Sequence, residues 1–170
     1  MTISIASAAD IPALNYLINS AYRGEAAKKG WTTEAYLLEG TRTDETALAA
    51  LLKIPGSAML ICRNHEELVS GCVYLQKQVD TFYLGMLTVS PLLQGAGMGR
   101  LLLQTSEAHV KKEKGRTISI TVISVRHELI AWYERRGYAK TGETRPFPVD
   151  PAIGMPSQHL EFVVMRKIIA

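Results

Sequence analysis

A glycine-rich stretch lies between two apolar segments near the middle of the chain. In VSPLLQGAGMGRLLLQ, residues 89–104, Gly95, Gly97 and Gly99 occupy alternate positions between a strand-like run and a helix-like run. Glycine lets backbone N–H groups approach a ligand closely, because no Cβ atom blocks the approach. Successive N–H groups at the start of a helix favour an anion, most often a phosphate. This stretch, called the glycine loop (residues 94–100), therefore predicts a phosphate-binding turn.

Two common phosphate-binding motifs do not fit the glycine loop. The dinucleotide fingerprint G-x-G-x-x-G requires a third glycine where the chain has Arg100, and no acidic residue follows the next strand at Ile123. The P-loop requires lysine and a hydroxyl residue after its last glycine, but Arg100 and Leu101 follow Gly99. Nucleoside triphosphate chemistry is therefore not indicated, and a turn that is merely tight is the remaining alternative.

The composition is that of one globular domain spanning residues 1–170. The chain is 47% hydrophobic and 21% charged, and its net charge of +3 comes with scattered basic residues. No apolar stretch approaches the ~20 residues that span a bilayer, and no signal peptide pattern is present. We therefore expect a cytoplasmic protein, monomeric or homodimeric, with no membrane or nucleic-acid partner. Cys62 and Cys72 lie in apolar segments without a Cys/His cluster, which predicts two buried reduced thiols and no metal site.

The hydrophobic pattern predicts a mixed α/β fold, with an antiparallel meander followed by strand, helix, strand, helix and strand. The predicted strands are residues 3–5, 57–63, 68–77, 81–89, 117–123, 138–144 and 160–167, and the predicted helices are residues 10–22, 32–38, 44–52, 100–114 and 128–136.

The segment around the glycine loop resembles the acetyl-CoA signature of the GNAT acyltransferase superfamily. In LGMLTVSPLLQGAGMGRLLLQ, a strand ending in an apolar-x-V-x-P pattern leads into [RQ]-x-x-G-x-[GA] and a helix, with Gln94, Gly97 and Gly99 at the motif positions. The resemblance covers the whole chain and is strongest over residues 82–142. It implies a mixed, mostly antiparallel sheet of about six to seven strands, flanked by about four helices. The sheet would be splayed between its fourth strand (81–89) and its fifth (117–124).

The resemblance implies acetyl-CoA as the cosubstrate, bound without a metal. The N–H groups of the glycine loop would hold its pyrophosphate, and the pantetheine arm would lie in the splay beside the strand end. The implied cofactor-binding residues are Leu87, Thr88, Val89, Gln94, Gly95, Ala96, Gly97, Met98, Gly99, Arg100 and Arg126. Arg126 stands where many members carry asparagine, and an arginine there also suits an acidic acceptor or a solvent-facing position.

A second motif supplies the predicted general acid. HELIAWYERRGYAKTG, residues 127–142, resembles a later family motif in which a helix carries tyrosine four residues before a glycine-aromatic pair, here Tyr133 before Gly137 and Tyr138. The departing thiolate needs a proton, because its free pKa is about 8.5. We therefore assign Tyr133 as the general acid. The alternative is a helix aromatic packed in the core beside Ile130.

The general base is harder to assign, because residues 82–89 contain no carboxylate. In the family the first two helices and their link build the acceptor wall, which makes Glu34 a candidate base or acceptor contact. Arg23, Trp31 and Tyr36 share this segment as candidate acceptor contacts, and each could also be a solvated loop residue.

The resemblance implies direct transfer of acetyl to an amine of a small molecule or amino acid. A backbone N–H near Val89 would stabilise the tetrahedral oxyanion, and neither cysteine has a neighbouring base in the sequence that would favour a covalent intermediate. Two alternatives remain open. One is acetylation of a protein N-terminus or lysine, and the other is a regulatory module that binds acyl-CoA without turnover.

Overall fold

A seven-stranded sheet forms the centre of the computed structural model, which describes residues 1–23, 28, 37–148 and 155–169. The strands in chain order are β1 (Thr2–Ile5), β2 (Leu38–Glu39), β3 (Ser57–Arg63), β4 (Val69–Lys77), β5 (Phe82–Val89), β6 (Thr117–Ile123), β7 (Ala139–Pro146), β8 (Met155–Pro156) and β9 (Glu161–Ile168). The large sheet has the order β1-β3-β4-β5-β6-β9-β7, while β2 and β8 form a separate antiparallel pair. Within the large sheet β5 and β6 run parallel and the other neighbouring pairs are antiparallel. The predicted mixed, mostly antiparallel fold is confirmed.

Four helices flank the sheet in the part of the chain that the structure describes. They are α1 (Ile11–Tyr22), α2 (Glu45–Leu52), α3 (Met98–Lys112) and α4 (His127–Glu134). Sequence signals explain where they begin: Asp44 accepts a hydrogen bond from the Ala47 N–H at 2.7 Å, and Pro12 lies in the first turn of α1. None of these helices is long and apolar enough to cross a membrane.

The predicted helix over residues 32–38 lies mostly outside the described residues. Its predicted last residue is wrong, because Leu38 belongs to β2 and pairs with Pro156 of β8. A distant partner strand therefore decides the conformation of Leu38, and local helical spacing could not reveal it.

The core is divided by the sheet into two layers. On one face, α1 and α2 cover Met59, Ile61, Cys72 and Tyr74. On the other face, α3 and α4 cover a larger cluster that includes Cys62, Leu102, Ile130 and Tyr133. Both cysteines are buried and free, as the sequence predicts.

The sheet opens between its two parallel strands. Strand β5 pairs with β6 only at Phe82↔Ile118 and Tyr83↔Ser119, whereas β6 pairs with β9 over its whole length. From Leu84 to Val89, β5 therefore has no partner on its β6 side. This confirms the splay expected between the fourth and fifth predicted strands, which are β5 and β6 here.

Candidate active site

A groove of about 480 Å³ runs from the glycine loop to the open side of β5. This loop groove is lined by Tyr22, Leu87, Val89, Gln94, Gly95, Gly97, Gly99, Arg100, Leu129, Trp132, Tyr133, Arg135 and Arg136. The structure thus brings together eight residues predicted from the sequence, namely Leu87, Val89, Gln94, Gly95, Gly97, Gly99, Arg100 and Tyr133. The strand end, the loop and helix α4 form one continuous surface.

The glycine loop leads directly into α3. Gly97 is the N-cap of the helix with φ 86°, and Gly95 has φ 87°. A Cβ at either position would meet nothing within 4 Å, so the positive φ, and not a lack of space, is what favours glycine there. The first bond of the helix runs from the Leu101 N–H to the Gly97 carbonyl at 3.0 Å. The three preceding N–H groups, at residues 98–100, therefore have no acceptor within the helix and can bind an anion.

Gln94 connects the glycine loop to the end of β5. Its Nε2 donates to the Val89 carbonyl at 3.3 Å, while its Oε1 is buried and has no hydrogen-bond partner among the described residues. A buried acceptor without a donor costs free energy until a ligand satisfies it. Gln94 therefore offers an acceptor in the wall of the groove beside the strand end.

Four of the predicted cofactor-binding residues, Thr88, Ala96, Met98 and Arg126, do not line the groove. Thr88 is 2% exposed, and its hydroxyl donates to the Met86 carbonyl at 2.7 Å. Met98 packs in the core below the loop, and the exposed Ala96 donates its N–H to Leu93 at 3.4 Å. Cofactor binding at Thr88, Ala96 and Met98 stays a prediction.

A β-bulge distorts β5 where it borders the groove. The pairs Cys72↔Thr88 and Tyr74↔Gly85 leave Met86 and Leu87 opposite one residue of β4, and Met86 has a φ of 52°. The Met86 carbonyl accepts from Thr88 Oγ1 and, at 3.6 Å, from Cys72 Sγ. Because a trans peptide holds its C=O and N–H in opposite directions, the Leu87 N–H points away from those two groups.

A second cavity of about 120 Å³, the inner cavity, lies in the opening between β5 and β6, where residues 84–87 and 120–123 line it. It is lined by Tyr22, Arg23, Arg42, Tyr83, Leu84, Gly85, Met86, Leu87, Ile120, Thr121, Val122, Ile123, Arg126, Leu129, Tyr133, Phe147 and Phe162. Tyr22, Leu87, Leu129 and Tyr133 line both spaces, so the two meet at the bulge.

Of the candidate acceptor contacts, Arg23 lines the inner cavity, and Trp31, Glu34 and Tyr36 lie outside the described residues. Acceptor contact at Arg23 stays a prediction. Arg126, predicted with the cofactor-binding residues, lines the inner cavity and not the loop groove. Cofactor binding at Arg126 stays a prediction.

Tyr133 is 6% exposed and stands where the two spaces meet. Its ring packs edge-on against Trp132 and Tyr138, with centroid distances of 5.0 and 5.5 Å. Burial raises the pKa of its hydroxyl well above the usual range, Tyr22 adds to this, and the positive charge of Arg126 acts in the opposite direction. Tyr133 is therefore both a core aromatic and a protonated hydroxyl at the cavity junction.

The two cysteine thiols are unsuited to nucleophilic attack. Burial raises the pKa of Cys72 to about 12, and burial also raises the pKa of Cys62. At neutral pH both are thiols, whereas the thiolate is the reactive form. Within the described residues, no group of three or more His, Cys, Asp and Glu side chains is arranged to hold a metal ion.

Sequence reasoning missed several residues that line the loop groove. Trp132 of α4 stacks with Arg136, which follows the end of that helix, with the guanidinium carbon 3.8 Å from the ring centroid and Arg136 Nη1 donating to the Trp132 carbonyl at 2.8 Å. In the predicted helix over residues 128–136 the two residues are four apart, a spacing that would have indicated this pair. Tyr22 gives no such signal, because its partner is the distant Leu87.

Comparison with protein families identifies the fold. The family model of the acetyltransferase (GNAT) domain matches residues 33–155, which is more than half of the chain. The chain belongs to the GNAT acetyltransferase family. Members of this family use acyl-CoA as cosubstrate. No curated protein sequence matches the chain.

Solved structures of GNAT proteins have the same fold. The ribosomal-protein-S18-alanine N-acetyltransferase of Escherichia coli is 18% identical, with 99% of this chain and 94% of that one covered at a TM-score of 0.74. The ribosomal-protein-alanine N-acetyltransferase of Brucella melitensis is 20% identical, with 99% of each chain covered and a TM-score of 0.73. Nourseothricin acetyltransferase is 16% identical, with 99% and 98% covered and a TM-score of 0.71.

Proposed function

We propose that this GNAT protein is an N-acetyltransferase that moves acetyl from acetyl-CoA to an amine of a small molecule or amino acid by direct attack in a ternary complex. The observation that carries the proposal is the meeting of the loop groove and the inner cavity at Tyr133. A donor in the groove and an acceptor in the cavity would present their reacting atoms to each other there, which converts a bimolecular step into an oriented one.

Three features of the loop groove fit coenzyme A. The N–H groups at residues 98–100 suit a pyrophosphate, and the guanidinium groups of Arg100, Arg135 and Arg136 add positive charge to the same groove. The open edge of β5 offers backbone groups to the amides of pantetheine, as an added strand does. Gln94 Oε1 provides a further acceptor for an amide N–H.

In the proposed step the amine nitrogen attacks the thioester carbonyl carbon. The C–N bond forms while the carbonyl becomes a tetrahedral oxyanion, and collapse of this intermediate breaks the C–S bond. The Leu87 N–H at the β-bulge is the backbone donor that we assign to the oxyanion, two residues before the position expected from the sequence. The products are an acetylated amine and the free thiol of coenzyme A.

Tyr133 is the proposed general acid. Its hydroxyl is protonated at neutral pH, since burial moves its pKa further above neutrality. It can therefore hydrogen-bond to the sulfur and pass on its proton as negative charge develops there. The nearby charge of Arg126 stabilises the phenolate that remains after the proton has left. Bulk water then restores the proton of the hydroxyl.

The proton of the acceptor amine needs a separate path. Among the described residues, no Asp, Glu or His lines either the groove or the cavity. We propose that the proton leaves through water in the inner cavity, and Glu34 stays the candidate base on the acceptor side.

The proposal is tested by a thiol-release assay with acetyl-CoA across amino acids, other small amines and peptides with a free N-terminus, with mass spectrometry of the product. We expect acetyl-CoA-dependent release with one class of small amine and a matching acetylated product. Release only with a peptide or protein acceptor would refute the small-molecule assignment. Tight acetyl-CoA binding with no release for any acceptor would favour the regulatory module.

A further inference from the structure

Three arginines, Arg23, Arg42 and Arg126, line the inner cavity. The other described residues of its wall are apolar, aromatic or neutral. Guanidinium groups bind carboxylates and phosphonates through paired, charge-assisted hydrogen bonds, so three of them around one small cavity favour an oxyanion as ligand.

The three arginines are held in place by the protein. Arg23 and Arg126 are each 5% exposed. Arg23 Nη1 donates to the Thr41 carbonyl at 3.3 Å, and the guanidinium carbon of Arg42 lies 5.7 Å from the centroid of the Tyr22 ring. The Nε of Arg126 is 3.6 Å from the carboxylate of Glu128, whose own side chain is 45% exposed. Guanidinium groups fixed in this way are ready to bind an oxyanion without losing much side-chain entropy.

Arg126 lines the same cavity as Tyr133. Tyr133 also lines the loop groove, so it stands at the junction at which the acetyl group would be transferred. An anionic group held by Arg126 would therefore lie in the same small cavity as the attacking nitrogen. Amines in which a carboxylate or phosphonate is separated from the nitrogen by one or two carbons have this arrangement.

The size of the inner cavity sets a further limit on the acceptor. Its volume of about 120 Å³ is well below the roughly 300–1,000 Å³ of pockets that enclose drug-sized ligands. Its apolar wall includes Met86, Val122 and Phe162, which suit a short aliphatic side chain. The cavity therefore fits a molecule of the size of a small amino acid.

We propose that the acceptor is a small amine carrying an oxyanion close to its nitrogen, a free amino acid or an aminophosphonate, and that Arg23, Arg42 and Arg126 bind the oxyanion. This inference rests on the proposed function, because it assigns the inner cavity to the acceptor.

Binding and turnover are measured separately to test this inference. The full chain is saturated with coenzyme A, which forms a dead-end complex, and probe binding is then measured by calorimetry. The probes are common L-amino acids, their carboxamides and short aminophosphonates. At least one carboxylate or phosphonate is expected to bind about tenfold or more tightly than its uncharged counterpart, since charge-assisted hydrogen bonds have this magnitude. Equal affinity for the carboxylate and carboxamide forms, or no binding by any probe, would overturn the inference.

Variants assign the preference to the arginines. Arg126→Gln and Arg42→Gln are each expected to reduce the preference for the charged form at least severalfold, and Arg126→Lys is expected to restore part of it because it keeps the charge and loses the planar fork. Arg116→Gln is the matched control, since Arg116 is exposed and lines neither space. Thermal unfolding identifies any variant that is not folded. If Arg126→Gln does not fold, Arg42→Gln provides the test, because Arg42 is only half-buried. A preference that survives in both folded variants refutes the assignment.

Turnover tests the proposed function independently. If the probes bind with the expected preference but no thiol is released, the acetyltransferase proposal fails while the anion site stands. If a carboxamide or a peptide N-terminus is the better acceptor, the acetyltransferase proposal stands and the anion site is refuted.

Discussion

The hydroxyl of Tyr22 donates a hydrogen bond to the carbonyl of Leu87 at 2.7 Å, which joins the end of α1 to the β-bulge of β5. Both residues line the loop groove and the inner cavity. The bulge contains a non-glycine residue at positive φ, Met86, which costs about 1–2 kcal/mol relative to ordinary strand geometry. The hydrogen bond from Tyr22 is one of the contacts that hold the bulge in this shape.

Substitution of Tyr22 by phenylalanine should therefore affect catalysis more than stability. We expect Tyr22→Phe to lose about 1 kcal/mol of unfolding free energy, because one hydrogen bond is removed. The turnover number should fall several-fold, since the bulge places the assigned oxyanion donor. Tyr16→Phe is the control, because Tyr16 lies on the same helix and is 78% exposed. Equal turnover in the two variants, measured by thiol release, would show that the bond has no catalytic role.

The two left-handed glycines Gly97 and Gly142 provide a matched pair for the glycine loop. Their φ values are 86° and 88°, and a Cβ at either would meet nothing within 4 Å. Alanine at each should therefore cost a similar 1–2 kcal/mol or so of conformational free energy. Only Gly97→Ala should weaken acetyl-CoA binding, by about tenfold, since only Gly97 lines the groove. Calorimetry that shows equal affinities for the two variants would contradict the loop assignment.

The stacked pair of Arg136 and Trp132 should contribute to the binding of the phosphates of acetyl-CoA. We expect Arg136→Gln to weaken binding several-fold at low ionic strength and to reduce the dependence of affinity on salt, because one phosphate-facing charge is lost. Titrations at two salt concentrations measure this, with Arg116→Gln as the exposed control. An unchanged salt dependence in Arg136→Gln would place the phosphates elsewhere.

Direct transfer predicts that neither cysteine takes part in the reaction. Because burial raises the thiol pKa, to about 12 for Cys72, the thiolate is scarce at pH 8. Alkylating reagents should leave the native protein unmodified at that pH and label both cysteines after unfolding. Mass spectrometry of protein quenched during turnover should show no acetyl group on Cys62 or Cys72. An acetyl-cysteine that forms and decays at the rate of turnover would instead establish a covalent intermediate.

The donor side of the site follows from local sequence to a large extent. The glycine loop, the strand before it and the helix after it are consecutive in the chain, so their arrangement depends on nearby residues. The role of Gly115 is not predicted correctly from local sequence. Gly115 is predicted to end a helix at residue 114, but α3 ends at Lys112 and the left-handed residue is Lys114. Gly115 is required for close packing, because a Cβ there would lie 2.6 Å from Phe82 Cε2.

The acceptor side depends on contacts between distant segments, which periodicity does not reveal. Tyr22 and Leu87 are 65 residues apart, and β8 pairs with a strand that begins at Leu38. Arg42 gives no sequence signal, although it faces the same cavity as Arg126. Strand β6 splays away from β5 and leads into α4. Arg126, at the start of α4, therefore lies at the inner cavity.

Acid catalysis by Tyr133 is tested by the turnover number of Tyr133→Phe beside that of Tyr138→Phe. Tyr138 is also buried and packs on Tyr133, but it lines neither space, and its hydroxyl lies 3.3 Å from Glu107. Tyr133→Phe should bind acetyl-CoA with unchanged affinity and lose about 100-fold or more in turnover number, the usual contribution of a general acid. Tyr138→Phe should keep most of its turnover. Wild-type turnover in a folded Tyr133→Phe variant would show that Tyr133 is not the general acid.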